Sequence, residues 1–123
     1  MTTAPNIAFL GAGNMARALL QGCLGRGGYA AEQLAATDVS EAARAKVASE
    51  LGVHVFPHNA EAARWAQLIV LAVKPQVLPR VLAEIAPQLT PDKLVISIAA
   101  GVSIARLRDG LNGHARVVRA MPN

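Results

Sequence analysis

The sequence predicts an α/β fold: a doubly wound parallel sheet of about six strands in the order 3-2-1-4-5-6. Three observations lead there. Short apolar segments alternate with segments of helical spacing along all 123 residues. Leu68–Val73 is apolar without alternation, as a parallel strand covered on both faces must be. The first apolar run, Ile7–Leu10, ends on Gly11-Ala12-Gly13-Asn14-Met15-Ala16, where a buried strand would turn tightly into a helix.

In chain order, a helix is expected from about Asn14 to Leu24, with Met15, Leu19, Leu20, Cys23 and Leu24 on one stripe. Gly25-Arg26-Gly27-Gly28 breaks it. Leu34–Thr37 reads as a second strand, weakly marked because alanine is a poor strand former. Ser40 is an N-cap candidate for a helix carrying Ala43, Val47 and Leu51, which stops at Gly52. Val53–Phe56 alternates as a third strand. Asn59 is read as the cap of a short helix through Ala66, in which Trp65 is a core or domain-edge anchor. After the fourth strand, Pro79 is placed at the start of a helix with Val81, Leu82 and Ile85 inward, ended by Pro87. Leu94–Ile98 is a fifth strand. Ser103 caps a helix through about Leu111, with Ile104, Leu107 and Leu111 as its core strip. Ala115–Ala120 completes the set.

Composition narrows the classes of function. More than half of the residues are apolar, which excludes a disordered chain, and no apolar run approaches the roughly 20 residues that span a bilayer. The net charge is +4, but the twelve basic residues are scattered and lack aromatic platforms, so nucleic-acid binding is not expected. A positive balance suits an anionic cofactor. Cys23 alone forms no internal disulfide, and Met1–Pro5 has no basic leader, so a cytoplasmic setting is expected. His54, His58 and His114 lack metal-ligand spacing, and no metal site is expected.

The glycine turn reads as a phosphate site. Gly11 permits the turn, Gly13 leaves room for a pyrophosphate, and Ala16 lets the helix pack close to the strand. The free N–H groups of the helix's first turn then face the anion, which points to a dinucleotide. Asp38 closes the second strand about 25 residues beyond Gly13, near where such folds place the acid for the adenosine ribose. A carboxylate there favours the hydroxyls of NAD(H) over the 2′-phosphate of NADP(H). Ser40, the helix start behind it, and Arg44 one turn on favour the phosphate. Ligands in this fold sit beyond the strand ends at the switch between strands 1 and 4. Ala72-Val73-Lys74-Pro75 and Ile98-Ala99-Ala100-Gly101 fall at the ends of strands 4 and 5. Lys74 reads either as an anion-attracting cation or as the first solvated residue after its strand.

Gly11–Ala16, Ala72-Val73-Lys74-Pro75, Ala99-Ala100-Gly101-Val102-Ser103 and the ending Arg119-Ala120-Met121-Pro122-Asn123 together resemble pyrroline-5-carboxylate reductase, over essentially the whole chain. The glycine pattern by itself also fits the deazaflavin-linked NADP reductases. The resemblance implies hydride transfer from NAD(P)H to the cyclic imine 1-pyrroline-5-carboxylate, giving proline. It implies that Gly11–Ala16 hold the pyrophosphate. Asp38 and its neighbours would meet the adenosine ribose, and Asn59 the adenosine side. Ala72–Pro75 and Ile98–Ala100 would line the ribose and nicotinamide. The cofactor expected is NADP(H), with NAD(H) as the alternative. The family continues into a helical domain that supplies the dimer interface, much of the imine pocket and the proton relay. The expectation is therefore that residues 1–123 form a dinucleotide-binding domain that binds cofactor but turns over little substrate alone, and no catalytic residue is assigned within it. A non-catalytic dinucleotide-binding module, or the nucleotide domain of another imine or carbonyl reductase, are the alternatives.

Overall fold

Each apolar run becomes a strand and each helical-period run a helix in the computed structural model, which describes residues 5–120. The order is β1 (Ile7–Leu10), α1 (Asn14–Leu24), β2 (Leu34–Thr37), α2 (Glu41–Leu51), β3 (His54–Phe56), α3 (Asn59–Trp65), β4 (Leu68–Leu71), α4 (Leu78–Ile85), β5 (Leu94–Ser97), α5 (Ile104–Gly110) and β6 (Val117–Arg119). The six strands run β3-β2-β1-β4-β5-β6, and every pairing is parallel. Residues 1–4 and the Met121-Pro122-Asn123 motif lie outside the described residues.

The pleat of β1 shows how the two faces are served. Ile7 and Phe9 point to one cluster, with Ala16 and Leu20 of α1 and Val47 of α2. Ala8 and Leu10 point to the other, with α3, α4 and α5. Both faces are therefore dry, which is why β1, β2 and β4 carry no polar alternation. The alanines of β2 have a packing reason. Ala8 and Ala35 lie in one cluster with Ala62, Ala63 and Ala66 at α3, so small side chains meet small side chains. The same feature weakened the strand signal of β2 in the sequence.

The C-terminal end of α3 is held by a side chain distant in sequence. Lys93 is only 7% exposed, and its ammonium donates to the carbonyls of Ala63 (2.8 Å), Arg64 (3.0 Å) and Ala66 (2.5 Å). A cation here satisfies the orphan carbonyls at the C-terminus of α3 and suits its dipole. His114 Nε2 lies 2.7 Å from the Lys93 carbonyl oxygen, so this histidine is half-buried and bonded.

Several boundaries differ from the sequence reading. β4 stops at Leu71: the Ala72 amide adds one more bond, to Leu10 O at 2.9 Å, before the chain bends away. Ile98 likewise donates to Leu71 O at 3.2 Å but lies outside β5. β6 is Val117–Arg119 rather than Ala115–Ala120, because a bond from Val117 N to Ala115 O turns its start. α4 begins at Leu78, with Pro79 second. Asn59 is the first residue of α3 rather than its cap, because its side chain is drawn to Thr37. Ser40 and Ser103 do cap their helices, accepting from Ala43 N and Arg106 N at 3.1 Å each.

Candidate functional site

The register sets Phe56, Thr37, Leu10, Leu71, Ser97 and Arg119 in one row at the C-terminal edge of the sheet. The residues expected to hold the dinucleotide gather past this row. Gly11–Ala16 follow Leu10, Asp38 and Ser40 follow Thr37, Ala72–Pro75 follow Leu71, and Ile98–Gly101 follow Ser97. Asn59 opens α3 behind β3. The central segments meet at the switch between β1 and β4, where folds of this strand order bind their ligands.

The two glycines do different jobs. Gly11 has φ +111°, and a Cβ on it would stand 2.8 Å from Ala72 O. Only glycine takes that conformation with the next strand so near. Gly13 has φ −78°, open to any residue, and a Cβ there would meet nothing within 4 Å. What glycine leaves at position 13 is open space in front of α1. Gly13 is also the N-cap of α1 and contributes no side-chain cap bond, and no acidic side chain occupies the first turn. The first amides of an eleven-residue helix therefore face that space with its positive end. Ala16 is 1% exposed and packs among Ile7, Leu20 and Val47, which seats the helix on the sheet. Asn14 and Met15 are exposed beside the opening. This cradle fits an anionic phosphate group.

Main-chain amides of the turn are gripped by the end of β2. Gly11 N donates to Thr37 O at 3.0 Å and to Thr37 Oγ1 at 3.3 Å. Ala12 N donates to Asp38 Oδ2 at 3.2 Å, and Ser40 N donates to Asp38 Oδ1 at 2.9 Å. The Asp38 carboxylate thus ties the glycine turn to the start of α2, and each oxygen keeps lone pairs for a further donor. Arg44 Nη1 donates to the Asp38 carbonyl oxygen at 2.7 Å, which brings its guanidinium to the same loop as Ser40. Val39 between them is 84% exposed, an apolar surface at the mouth of the site.

Lys74 and Pro75 are exposed after β4. Pro75 also forms the rim of a groove of about 190 Å³ between α4 and α5, together with Val102, the residue after Gly101. Ala99 N donates to Ser97 Oγ at 3.3 Å, so Ser97 is a buried turn-former. Cys23 lies apart on α1, and burial pushes its thiol pKa up, which keeps it protonated and unreactive at neutral pH. Among the described residues no group of three His, Cys, Asp or Glu could hold a metal ion. No described helix is long and apolar enough to cross a membrane.

The family model described as NADP oxidoreductase, coenzyme F420-dependent, matches residues 6–101. The chain belongs to this family. Within its reach, the chain is 46% identical to a pyrroline-5-carboxylate reductase of Pseudomonas aeruginosa, over 97% of its own length and 43% of that protein. Among solved structures, a pyrroline-5-carboxylate reductase from Coxiella burnetii superposes with a TM-score of 0.92 at 36% identity, covering 98% of this chain and 45% of that one. A pyrroline carboxylate reductase from Plasmodium falciparum, solved with NADP bound, gives a TM-score of 0.84 at 31% identity, covering 97% and 42%. This member of the oxidoreductase family therefore spans less than half the length of the relatives it matches.

Thr37 is the site residue that sequence reasoning missed. It is 2% exposed and bonds both the glycine turn and Asn59, yet in sequence it is only the last residue of a weak strand. Its polar side chain at the end of an apolar run was the available signal.

Proposed function

We propose that residues 1–123 are the dinucleotide-binding domain of a pyrroline-5-carboxylate reductase that uses NADP(H). The overall reaction reduces the cyclic imine 1-pyrroline-5-carboxylate to L-proline, with one hydride from NADPH and one proton. The observation that carries the reading is the open, uncapped N-terminus of α1 behind Gly13, at the switch point of a chain so similar to these reductases. NADPH supplies the hydride when bound; the chain's own part is to hold and aim it.

The turn Gly11, Ala12, Gly13, Asn14, Met15 and Ala16 forms the pyrophosphate cradle: Gly11 and Ala12 are held by Thr37 and Asp38, and the open amides at the start of α1 face the phosphates. Asp38, Ser40 and Asn59 serve the adenosine end, with Arg44 beside the 2′-phosphate. Ala72, Val73, Lys74, Pro75, Ile98, Ala99, Ala100 and Gly101 flank the nicotinamide end. Among these, Lys74 offers a positive charge to a carboxylate-bearing substrate. Catalysis and homo-oligomer formation belong to the longer protein, in keeping with the 43% of the Pseudomonas aeruginosa relative that this chain covers. A cytoplasmic site of action accords with the single free cysteine.

The test is imine-dependent NADPH oxidation by this chain, followed by absorbance, beside direct NADPH binding. Binding with little turnover is expected. Turnover at ordinary enzyme rates, about 1 s⁻¹ or more, would show that the domain assignment is wrong. No binding would remove the cofactor assignment.

A further inference from the structure

Thr37 occupies a place that its packing alone does not explain. Its hydroxyl is buried at the last position of β2, where the register sets it beside Leu10 at the end of β1. A threonine hydroxyl has one proton to give and two lone pairs. Gly11 N–H approaches Oγ1 at 3.3 Å and uses a lone pair. The hydroxyl's own proton is then free for Asn59 Oδ1, which lies 2.5 Å away. The chain of bonds thus has one direction: the Gly11 amide donates to Thr37, and Thr37 donates to Asn59.

That direction fixes the Asn59 carboxamide. With Oδ1 facing Thr37, the amide Nδ2 must face away, and it makes one long contact with Glu84 Oε1 at 3.4 Å. An NH₂ group has two hydrogens, so one donor remains beyond the Glu84 contact. Asp38, the next residue, takes the next amide, that of Ala12. Two consecutive residues of β2 and its loop therefore hold two consecutive amides of the glycine turn.

We propose that Thr37 is a positioning residue of the dinucleotide site: its hydroxyl locks the Gly11 turn and the Asn59 carboxamide together, so that Asn59 Nδ2 is presented as a donor to an acceptor atom of the adenosine half of the ligand. The proposal rests on the dinucleotide reading given above. Thr37 acts on the ligand through Asn59, which it holds against the Gly11 turn, and touches no ligand itself.

The test is NADPH titration of the wild-type chain, Thr37→Val, Thr37→Ser, Asn59→Ala and the Thr37→Val/Asn59→Ala double variant, by calorimetry. Valine keeps the shape and removes the hydroxyl. Thr37→Val is expected to weaken binding roughly three- to tenfold, the effect of one hydrogen bond, with Thr37→Ser recovering most of it. On the Asn59→Ala background, Thr37→Val is expected to cost about twofold or less, because the route through Asn59 is already cut. Independent effects of the two substitutions would overturn the proposal, as would wild-type affinity in a folded Thr37→Val. Asn59→Asp supplies a check that leaves Thr37 intact: it keeps an acceptor for the hydroxyl and deletes the outward donor. It is expected to bind NADPH at least about threefold more weakly, and unchanged affinity would also overturn the proposal. Absence of binding by the wild-type chain would instead remove the dinucleotide reading.

Discussion

Replacing Gly11 and Gly13 one at a time by alanine separates what the fold needs from what a ligand needs. At Gly11 the added methyl would stand 2.8 Å from Ala72 O and 3.1 Å from Ala72 C. Both are backbone atoms, and the Ala72 amide is tied to Leu10 O at 2.9 Å, so no side-chain rotation relieves the overlap. An L-residue at φ +111° adds strain of about 1–3 kcal/mol, and overpacking costs a similar amount. The two partly relieve each other, so a loss of about 2–4 kcal/mol is expected, out of the roughly 5–15 kcal/mol of a typical domain. At this chain length that is a fall in Tm of about 8–16 °C. At Gly13 the φ of −78° is ordinary and the methyl meets nothing within 4 Å. Gly13→Ala should therefore stay within about 0.5 kcal/mol of wild type. Urea and thermal unfolding followed by circular dichroism, without nucleotide, measure both. A Gly11→Ala variant as stable as wild type would show that the turn does not require glycine, as would equal losses at the two positions.

Two further variants test the site's charge and the fold's buried cation. Arg44→Ala should weaken NADPH binding about tenfold or more and leave NADH within about twofold, since only the former carries the phosphate that a guanidinium would meet. Equal losses for the two cofactors, measured by calorimetry, would show that Arg44 does not read that phosphate. Lys93→Met keeps the length of the side chain but leaves three carbonyls at the end of α3 without their donor, for an expected loss of about 2–3 kcal/mol at neutral pH. Burial lowers the Lys93 pKa more than the Asp92 carboxylate raises it, so the folded chain releases this proton before the unfolded chain does. Between the lowered value and the ordinary one, about 10.4, the unfolded state binds more protons. This group's linkage term therefore makes stability rise with pH in that window, and the slope should be missing from Lys93→Met in urea titrations at alkaline pH.

The strand order and the location of the site were legible because they follow from local patterns. Ile7–Leu10, Leu68–Leu71 and Leu94–Ser97 are apolar runs of strand length, and the turns behind them are marked by glycine and proline. β2 was faint because Ala35 and Ala36 were chosen for close packing rather than strand propensity. Ser40 and Ser103 were visible as caps because a cap is a contact between near neighbours. Asn59 was misread as one because its partner, Thr37, lies 22 residues away. Lys93 was one of many scattered cations until the fold carried it 27 to 30 residues back to the end of α3. Contacts at such separations exist only once the sheet has formed, and residue types alone do not announce them.

On the proposed reading, the open space in front of Gly13 receives the pyrophosphate of a nicotinamide dinucleotide. Calorimetric titration of NADPH into the wild-type chain and a Gly13→Leu variant tests it most directly, with unfolding curves confirming that both are folded. Saturable binding by wild type and a loss of at least about tenfold in the variant are expected, because the new side chain fills the cradle without disturbing the turn. Equal affinity of the two folded chains would contradict it.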